Sequence, residues 1–453
     1  MSFKGKKVLV CGMARSGIAA ANLLTEEGAI VTISDSKPIE QLEEAIKKVV
    51  TNIKIIAGKI TDDEVMIHDM LVLSPGVPAN LDYIQKARGA GIPVIGEFEL
   101  ASRFCKAPVL AITGTNGKTT TTAMLDEIMK AHNPLSEMVG NVGIAFSERA
   151  KKIDPRGICV AEVSSFQLET IDTFKPKVSA ILNFALDHLD RHGSFENYVN
   201  IKARIFENQD EFDYLVLNYD NADCRELALR SKARVLWFSR SNYKLDGIFL
   251  KDNAFYLNID GETKKILEAS DLKIVGSHNY ENAMTAMIMA YVIGTPMDLI
   301  SESLKNFGGV SHRMEYVCTI NGVTYYNDSK ATNPESAIKA VQSIDRPTIL
   351  IGGGCDKGTD YTSWIKNFAG IVRKFYIIGE VSDTLERACI EQKFYDYEKM
   401  SCFEEAVHEA MKEAKSGEAV LLSPACASLD MFANYEERGN LFKKIIKSNS
   451  KNC

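Results

Sequence analysis

The chain has 453 residues, of which 25% are charged and 45% hydrophobic, so it can bury several cores and is expected to form about three domains. Global disorder is excluded, because it requires low hydrophobicity together with a high net charge. The 53 basic and 60 acidic side chains give a formal net charge of −7, and we therefore expect no binding to nucleic acid or to an anionic membrane.

The cysteines and the N-terminus indicate an intracellular protein. The ten cysteines are scattered and form no CxxC pair, which favours free thiols in a reducing cytoplasm over a zinc site or a secreted disulfide framework. The N-terminal MSFKGKKVLVCG is apolar over too few residues for a signal peptide, and no apolar run is long enough to span a membrane. We expect a soluble, cytoplasmic protein.

Short segments rich in Val and Ile alternate with helical patterns along the whole chain. In chain order they include KVLVCG (7–12), IVTISD (30–35), VLAITG (109–114), ICVAEV (158–163), VSAILNF (178–184), TILIGG (348–353), FYIIG (375–379) and AVLLSP (419–424). Such runs are typical of buried parallel strands joined by crossover helices, which predicts an α/β fold. Changes of pattern predict domains at 1–96, 97–309 and 310–453, with a polar, strand-rich insert at 237–262.

The first motif is a glycine-rich turn, GMARSG (12–17), which follows the first predicted strand, while Asp35 ends the second. The turn matches a dinucleotide-binding fingerprint with Ala14 in place of the middle glycine. From these residues alone three interpretations stay open. They are NAD binding, binding of another nucleotide diphosphate, and a tight strand-to-helix turn without a ligand.

The strongest motif is a phosphate-binding loop, TGTNGKTT (113–120), between an apolar strand and the helical stretch TTTTAMLDEIMKAH. Backbone amides of such a loop, together with the helix N-terminus, bind phosphate oxygens. Lys118 would neutralise the β- and γ-phosphates, and the Thr119 hydroxyl would ligate Mg²⁺. Ile112 stands where the general pattern has its first glycine, so a chance glycine-rich turn is the alternative.

Carboxylate and imidazole groups follow two further predicted strands. Glu162 lies at the end of ICVAEV, and DHLDRH (187–192) follows VSAILNF. In an open α/β sheet the carboxyl ends of the strands form the ligand crevice, and an acidic group beside a phosphate-binding loop is the usual partner of Mg²⁺. We interpret His188 as a metal ligand, with a polar loop histidine as the alternative.

Seven segments occur in a fixed order: ITGTNGKTTT, VAEVSSFQLE, ILNFALDHLDRH, SHNYENA, SHRMEY, YNDSKATNP and LLSPACASLDMF. Together they resemble the Mur ligases of peptidoglycan assembly, and SSFQLE and SPACASLD are similar to the branch that adds D-glutamate. The resemblance implies three domains: an N-terminal Rossmann-like domain, a central P-loop ATPase with a mostly parallel sheet, and a C-terminal Rossmann-like domain.

The resemblance implies ligands for the first two domains and resolves the glycine-rich turn in favour of UDP. The implied UDP-sugar residues are Ala14, Arg15, Ser16, Asp35, Ser36, Lys37, Ser74, Gly76 and Asn141. The implied ATP residues are Gly114, Thr115, Asn116, Gly117, Lys118, Thr119, Thr120, Asn279 and Asn282, joined by Arg313 and Asp328 of the third domain.

The resemblance also implies two Mg²⁺ ions and a set of catalytic residues. The implied metal ligands are Thr119, Glu162, His188 and Lys202, the last as a carbamate, and the implied catalytic residues are Lys118, Glu162, His188 and Lys202. A helical lysine is normally a solvated residue, so Lys202 is implied by the resemblance alone. In the third domain the implied D-glutamate residues are Lys330, Thr332, Lys357, Ser428 and Leu429.

The implied activity is ATP-dependent formation of an amide between UDP-N-acetylmuramoyl-L-alanine and D-glutamate, through an acyl phosphate, by a monomer. The alternatives are another Mur-type or folylpolyglutamate-type ligase, a P-loop regulatory NTPase and an NAD-dependent dehydrogenase. A dehydrogenase would leave the phosphate loop unused, and an NTPase would not explain SPACASLD. A folylpolyglutamate ligase normally begins near its phosphate loop, whereas here a whole domain precedes residue 113.

Overall fold

The computed structural model describes residues 2–274, 276–355 and 358–449. The chain divides into two compact units. One comprises Met1–Ala269 and Glu281–Leu304, and the other comprises Ser270–Tyr280 and Lys305–Cys453. The first unit contains a five-stranded and a nine-stranded sheet, and the second contains a six-stranded sheet.

The first sheet is parallel and has the strand order β3-β2-β1-β4-β5. Its strands are β1 (Lys7–Cys11), β2 (Ile30–Asp35), β3 (Lys54–Ala57), β4 (Met70–Leu73) and β5 (Val94–Gly96). Its helices are α1 (Arg15–Glu26), α2 (Glu43–Ile46), α3 (Asp62–Met66), α4 (Asp82–Gly89) and α5 (Glu97–Ser102). The order reverses beside β1, which is where open α/β sheets form their ligand crevice.

The second sheet has the strand order β14-β13-β12-β11-β10-β9-β6-β8-β7. Its strands are β6 (Val109–Thr113), β7 (Glu137–Gly140), β8 (Cys159–Glu162), β9 (Val178–Ile181), β10 (Tyr214–Asn218), β11 (Arg234–Ser239), β12 (Gly247–Lys251), β13 (Ala254–Ile259) and β14 (Glu262–Glu268). In this spatial order, all neighbouring strands between β7 and β12 are parallel. Strands β12, β13 and β14 form antiparallel hairpins. These hairpins confirm the predicted strand-rich insert.

The helices around this sheet include the one that follows the phosphate loop. They are α6 (Lys118–His132), α7 (Phe146–Arg149), α8 (Ser165–Leu168), α9 (Leu189–His192), α10 (Phe195–Ala203), α11 (Ala222–Ala228), α12 (Ser277–Val292) and α13 (Met297–Asn306). In the sheet, β6 lies between β9 and β8. The loops that follow these three strands therefore meet at one edge of the sheet.

The third sheet has the strand order β15-β16-β20-β17-β18-β19 and is parallel except for the β15–β16 hairpin. Its strands are β15 (Glu315–Ile320), β16 (Val323–Asn327), β17 (Thr348–Gly353), β18 (Val372–Ile378), β19 (Tyr397–Lys399) and β20 (Ala419–Leu422). Its helices are α14 (Pro334–Gln342), α15 (Thr362–Lys366), α16 (Ser382–Glu391), α17 (Phe403–Glu413) and α18 (Tyr435–Ser448).

The apolar sequence runs form strands that are covered on both faces in the first and third sheets. Along β1, Val8 and Val10 pack into one hydrophobic cluster, while Leu9 and Cys11 pack into another. The third sheet likewise has a separate apolar cluster on each face. Alternate residues of a strand point to opposite faces, so a strand buried on both must be apolar throughout. Each predicted strand segment accordingly overlaps a strand of the structure.

Two findings bear on the expected cellular setting. Within the described residues no helix has the length and apolar character needed to cross a bilayer. Of the cysteines that the structure describes, eight have free thiols, as predicted, whereas the prediction is wrong for Cys318, which is disulfide-bonded.

Candidate functional site

The phosphate loop lies between β6 and α6, as predicted. Gly117 caps the helix in the left-handed region, with a φ of 85°. A Cβ atom at this position would lie 2.3 Å from Oδ1 of Asn282. That amide oxygen also accepts a hydrogen bond from the Thr121 hydroxyl at 3.1 Å. The second glycine of the motif is therefore required both by the backbone conformation and by the close approach of α12.

The neighbouring loop after β9 is hydrogen-bonded to the phosphate loop. The Asn116 amide donates to the Asn183 side-chain oxygen at 2.9 Å, and the Thr115 amide donates to the Asn183 carbonyl at 3.0 Å. The Thr115 hydroxyl lies 3.0 Å from the Tyr198 hydroxyl. These bonds fix the loop before any phosphate binds, which lowers the cost of ordering it around a nucleotide.

Two lysine side chains converge on one carbonyl oxygen in this loop. Lys118 Nζ donates to the Gly114 oxygen at 2.8 Å and to the Thr115 oxygen at 2.9 Å. Lys202 Nζ donates to the same Gly114 oxygen at 3.0 Å and to the Thr113 hydroxyl at 3.2 Å. The structure thus brings the motif lysine together with a lysine that lies 84 positions later in the chain.

Lys202 is buried, with 2% of its surface exposed, so the pattern-based expectation of a solvated lysine is wrong. The side chain points inward from α10, and its ammonium lies 5.0 Å from the centre of the Tyr198 ring. Burial, followed by the nearby Lys118 charge, lowers the pKa of Lys202 to about 7. An ammonium group loses its hydration in such a site, which favours the neutral amine.

Sequence reasoning missed Tyr198, although a signal was present. Tyr198 precedes Lys202 by four residues on the same helix, and residues at that spacing share one helix face. Its hydroxyl contacts the phosphate loop and its ring contacts the Lys202 ammonium. Once Lys202 is singled out, the helical spacing identifies Tyr198 as its neighbour.

Glu162 ends β8 at the strand edge, beside the phosphate loop, and is 2% exposed. Its Oε1 accepts a hydrogen bond from the Asn141 amide at 2.9 Å. Its Oε2 is buried and accepts no hydrogen bond within the described part of the chain. A buried carboxylate oxygen without a partner is costly, and a cation at that oxygen would remove the cost. Asn141, predicted on the sugar-nucleotide side, here holds the carboxylate in place.

His188 lies in the loop after β9 with a positive φ of 50°. Its ring is half-exposed, lies 4.9 Å from the Phe166 ring and places Nε2 3.5 Å from an oxygen of Asp187. Among the residues that the structure describes, no three His, Cys, Asp or Glu side chains form a complete metal cage. Mg²⁺ in phosphate-transfer sites commonly takes one or two carboxylates, with phosphate and water oxygens for the rest. The available donors fit that pattern.

The glycine-rich turn after β1 is held by Asp35. One carboxylate oxygen of Asp35 accepts the Met13 amide at 2.8 Å, and the other accepts the Lys37 amide at 3.0 Å. The loop after β4 packs against the turn, because a Cβ atom at Gly12 would lie 2.9 Å from the Ser74 Cβ. The other predicted side chains around the turn, Arg15, Ser36 and Lys37, are exposed. Asp35 therefore supports the shape of the turn.

In the second unit, one buried arginine joins the loops that follow β16, β17 and β20. The Arg438 guanidinium donates to the Ser329 hydroxyl and carbonyl, both at 3.0 Å. It also donates to the carbonyls of Gly353 at 3.4 Å and Cys426 at 3.1 Å. These loops carry most of the predicted D-glutamate residues, so the structure brings them to one sheet edge.

The predicted D-glutamate residues differ in their surroundings. The Lys330 ammonium lies 5.9 Å from the centre of the Tyr435 ring, and Ser428 is buried. Thr332 is half-buried, whereas Leu429 is 68% exposed. Lys357 lies outside the described residues.

The remaining predicted nucleotide residues differ in their exposure. Asn279 and Asn282 are buried one helical turn apart on α12. Arg313 is exposed. Asp328 is buried, and its carboxylate accepts hydrogen bonds from the Ser423 hydroxyl at 2.7 Å and the Met314 amide at 3.1 Å.

The pH dependence of stability follows from Asp328. Burial raises the pKa of Asp328 from 3.8 to about 7. Between these values the folded chain holds a proton that the unfolded chain has lost, so the stabilisation is present at low pH and is lost as the pH rises to about 7. Between pH 5 and pH 8 the free energy of unfolding should fall by about 2–3 kcal/mol more in the wild type than in Asp328→Asn.

Urea unfolding at both pH values measures this difference. The control is Asp345→Asn, which alters a carboxylate that is 75% exposed in the same unit. An equal fall in Asp328→Asn and in the wild type would contradict the prediction.

The phosphate loop follows β6, and its lysine lies near a buried carboxylate at the end of β8. This arrangement defines a P-loop nucleotide-binding protein. Three family models match the chain. Residues 6–96 match the Mur ligase MurD-like N-terminal domain, residues 112–290 the Mur ligase middle domain, and residues 312–426 the Mur ligase glutamate ligase domain. The chain belongs to the Mur ligase family, whose members use ATP.

Individual relatives match over almost the entire chain. UDP-N-acetylmuramoylalanine--D-glutamate ligases from Thermoanaerobacter sp. (strain X514) and Lachnoclostridium phytofermentans are each 44% identical, covering 98% of this chain and 99% of the relative. The solved structure of UDP-N-acetylmuramate-alanine ligase MurC from Thermotoga maritima is 18% identical. It has a TM-score of 0.56 and covers 98% of this chain and 100% of that one. The predicted three-domain α/β fold is thereby confirmed.

Proposed function

We propose that the chain is an ATP-dependent ligase that adds D-glutamate to UDP-N-acetylmuramoyl-L-alanine in the synthesis of peptidoglycan precursors. The observation that carries this proposal is the full-length similarity, at 44% identity, to D-glutamate ligases of that name. The phosphate loop has the geometry for the ATP-dependent step. Family membership favours this function over the dehydrogenase and the regulatory NTPase.

The proposed domains are 1–96 for the UDP moiety, 97–309 for ATP and 310–453 for the amino acid. The loops after β1, β2 and β4 form the UDP site at the point of strand-order reversal. The loops after β16, β17 and β20 form the D-glutamate site, where Arg438 holds them together. We propose that the protein acts as a monomer. We also propose that the protein is cytoplasmic.

Two Mg²⁺ ions fit the donors around the phosphate loop. The Thr119 hydroxyl and the unpartnered Glu162 oxygen are proposed ligands, together with phosphate oxygens of ATP. His188 and Lys202, as a carbamate, are proposed to hold the second ion. When bound, the ions would offset the repulsion between the substrate carboxylate and the γ-phosphate.

The carbamate proposal rests on the burial and position of Lys202. A buried ammonium beside Lys118 faces a like charge and has lost its hydration. Reaction of the neutral amine with CO₂ releases a proton and gives an anionic carbamate. That group would turn an unfavourable cation into an oxygen ligand that Mg²⁺ prefers.

The reaction begins when a carboxylate oxygen of the sugar nucleotide attacks the γ-phosphorus of ATP, and the bond to ADP breaks. Lys118 is placed to neutralise charge on the transferring phosphoryl group. The D-glutamate amine then attacks the acyl carbon, and the tetrahedral intermediate expels phosphate, which carries away the carboxylate oxygen. The amine loses a proton to complete the amide. Arg313 and Asp328 are proposed to bind the nucleotide when the third domain closes.

Lys330 is expected to bind a carboxylate of D-glutamate. Lys330→Ala should raise the KM for D-glutamate by about tenfold or more and leave the KM for ATP nearly unchanged, because a charge-assisted hydrogen bond to this substrate is lost. Lys357→Ala should have the same selective effect. Steady-state kinetics measures both KM values. The control is Lys339→Ala, which removes an exposed lysine on α14. A selective change in the KM for ATP would contradict the assignment.

The proposed function is tested by phosphate release and amide formation from UDP-N-acetylmuramoyl-L-alanine. D-glutamate, L-glutamate, L-alanine and L-lysine are supplied separately. We expect turnover with D-glutamate only. Turnover with another amino acid would assign a different ligase, and ATP hydrolysis that does not depend on the sugar nucleotide would support a regulatory NTPase.

A further inference from the structure

One arginine in the first unit spans two loops that the proposed mechanism treats separately. Arg191 lies on α9, three residues after His188, and 15% of its side chain is exposed. Its guanidinium donates to both carboxylate oxygens of Glu169, at 3.3 and 2.7 Å. The Nη2 atom, which makes the 2.7 Å bond to Glu169, also donates to the carbonyl oxygen of Val77 at 3.1 Å. A paired, partly buried arginine with a fixed fork holds its partners in a defined geometry.

Val77 belongs to the loop after β4, which packs on the glycine-rich turn of the first sheet. A Cβ atom at Gly12 would lie 3.0 Å from Cγ2 of Val77, so the Val77 side chain packs closely against the glycine-rich turn. The Val77 amide closes the loop by donating to the Ser74 carbonyl at 2.9 Å. A hydrogen bond to Val77 therefore acts on the proposed UDP site.

The Arg191 guanidinium also contacts a ring that packs against His188 of the proposed metal-binding loop. Its guanidinium carbon lies 5.0 Å from the centre of the Phe166 ring, which is a cation–π contact. The His188 ring lies 4.9 Å from the same Phe166 ring. Phe166 thus links the position of the imidazole to that of the guanidinium.

We infer that Arg191, held by Glu169, is a positioning residue that fixes the UDP-sugar loop relative to the metal-binding loop. This inference rests on the proposed function and adds a role that none of the proposed ligand residues fills. The sugar nucleotide must present its carboxylate to the γ-phosphate while its UDP end lies in another domain. A misplacement of about 1 Å can cost about 10²-fold in rate, so a rigid connection between the two loops matters for the reaction.

Arg191→Met removes the hydrogen bonds while keeping an apolar side chain against Phe166. We expect the KM for UDP-N-acetylmuramoyl-L-alanine to rise about tenfold and kcat to fall about tenfold, with the KM for ATP changed by less than about threefold. Arg191→Lys should be intermediate, because an ammonium can pair with Glu169 but lacks the planar fork. Glu169→Gln should shift the same parameters in the same direction.

Two controls separate positioning from general structural damage. Arg156→Met removes an arginine that also pairs with both oxygens of one carboxylate, Asp154, but within a single loop. Lys151→Met removes two ion pairs, with Glu26 and Glu27 at the C-terminal end of α1, away from the glycine-rich turn. Both should keep wild-type kinetics. Circular dichroism checks that each variant is folded.

The outcomes distinguish the inference from the function on which it rests. If the wild type forms no amide, the proposed function fails. If the wild type is active and folded Arg191→Met keeps its KM for the sugar nucleotide, or raises both KM values equally, the positioning role is wrong. If Arg191→Met does not fold, Arg191→Lys and Glu169→Gln decide the question by the same ratio of KM values.

Discussion

Lys118→Ala is expected to reduce phosphate release about 10³-fold or more. The Lys118 ammonium is anchored on the Gly114 and Thr115 carbonyls at the start of α6, within reach of phosphates bound by the loop. Its loss leaves the charge that develops on the transferring phosphoryl group without its proposed side-chain cation. Phosphate release is measured with saturating ATP, UDP-N-acetylmuramoyl-L-alanine and D-glutamate.

The matched control is Lys130→Ala, which removes a lysine from the same helix. Lys130 is half-exposed and pairs with Asp126 four residues earlier, so its loss should leave turnover near that of the wild type. Turnover of Lys118→Ala within tenfold of the wild type would remove Lys118 from the mechanism.

Lys202→Arg is expected to be nearly inactive, as is Lys202→Ala. A guanidinium keeps its positive charge and cannot form a carbamate, and alanine supplies no oxygen ligand. The decrease in phosphate release should approach that of Lys118→Ala, because substitution of either lysine disturbs the charge around the transferred phosphate. Phosphate release under the same conditions measures the effect.

Short-chain carboxylates provide a second test of the carbamate. Added formate or acetate should partly restore Lys202→Ala by supplying an oxygen in the vacated space. The same salts should not restore Lys118→Ala, which lacks a cation. Wild-type activity in Lys202→Arg would overturn the carbamate proposal.

The strands and the phosphate loop could be predicted because their signals are local. The run ICVAEV is apolar except at Glu162, which ends the buried strand β8 at the sheet edge. The loop TGTNGKTT carries its own turn glycine and helix start. Both features are decided by residues that are adjacent in the sequence.

The burial of Lys202 could not be predicted, because it depends on which helix face meets the loop after β6. The helix has no strong apolar periodicity, and its lysine is matched to a carbonyl 88 positions earlier. The same holds for Arg438, whose partners come from three separate loops. Contacts between polar groups that are far apart in the chain produce no local pattern from which a single sequence could predict them.

The coupling between Arg191, Glu169 and Val77 illustrates the same limit. Glu169 and Arg191 each lie in a segment that the sequence singled out, SSFQLE and DHLDRH. Their pairing, and the bond to a loop 114 positions away, follow from how the first two sheets pack in this unit. The motifs identified the loops, and only the structure shows what holds them together.

The fate of the substrate oxygen tests the proposed acyl phosphate most directly. UDP-N-acetylmuramoyl-L-alanine is labelled with ¹⁸O at both carboxylate oxygens and turned over with ATP and D-glutamate, and the released phosphate is analysed by mass spectrometry. We expect one ¹⁸O atom in each phosphate, because the oxygen that attacks phosphorus leaves with it when the amide forms. Unlabelled phosphate accompanying amide formation would contradict it.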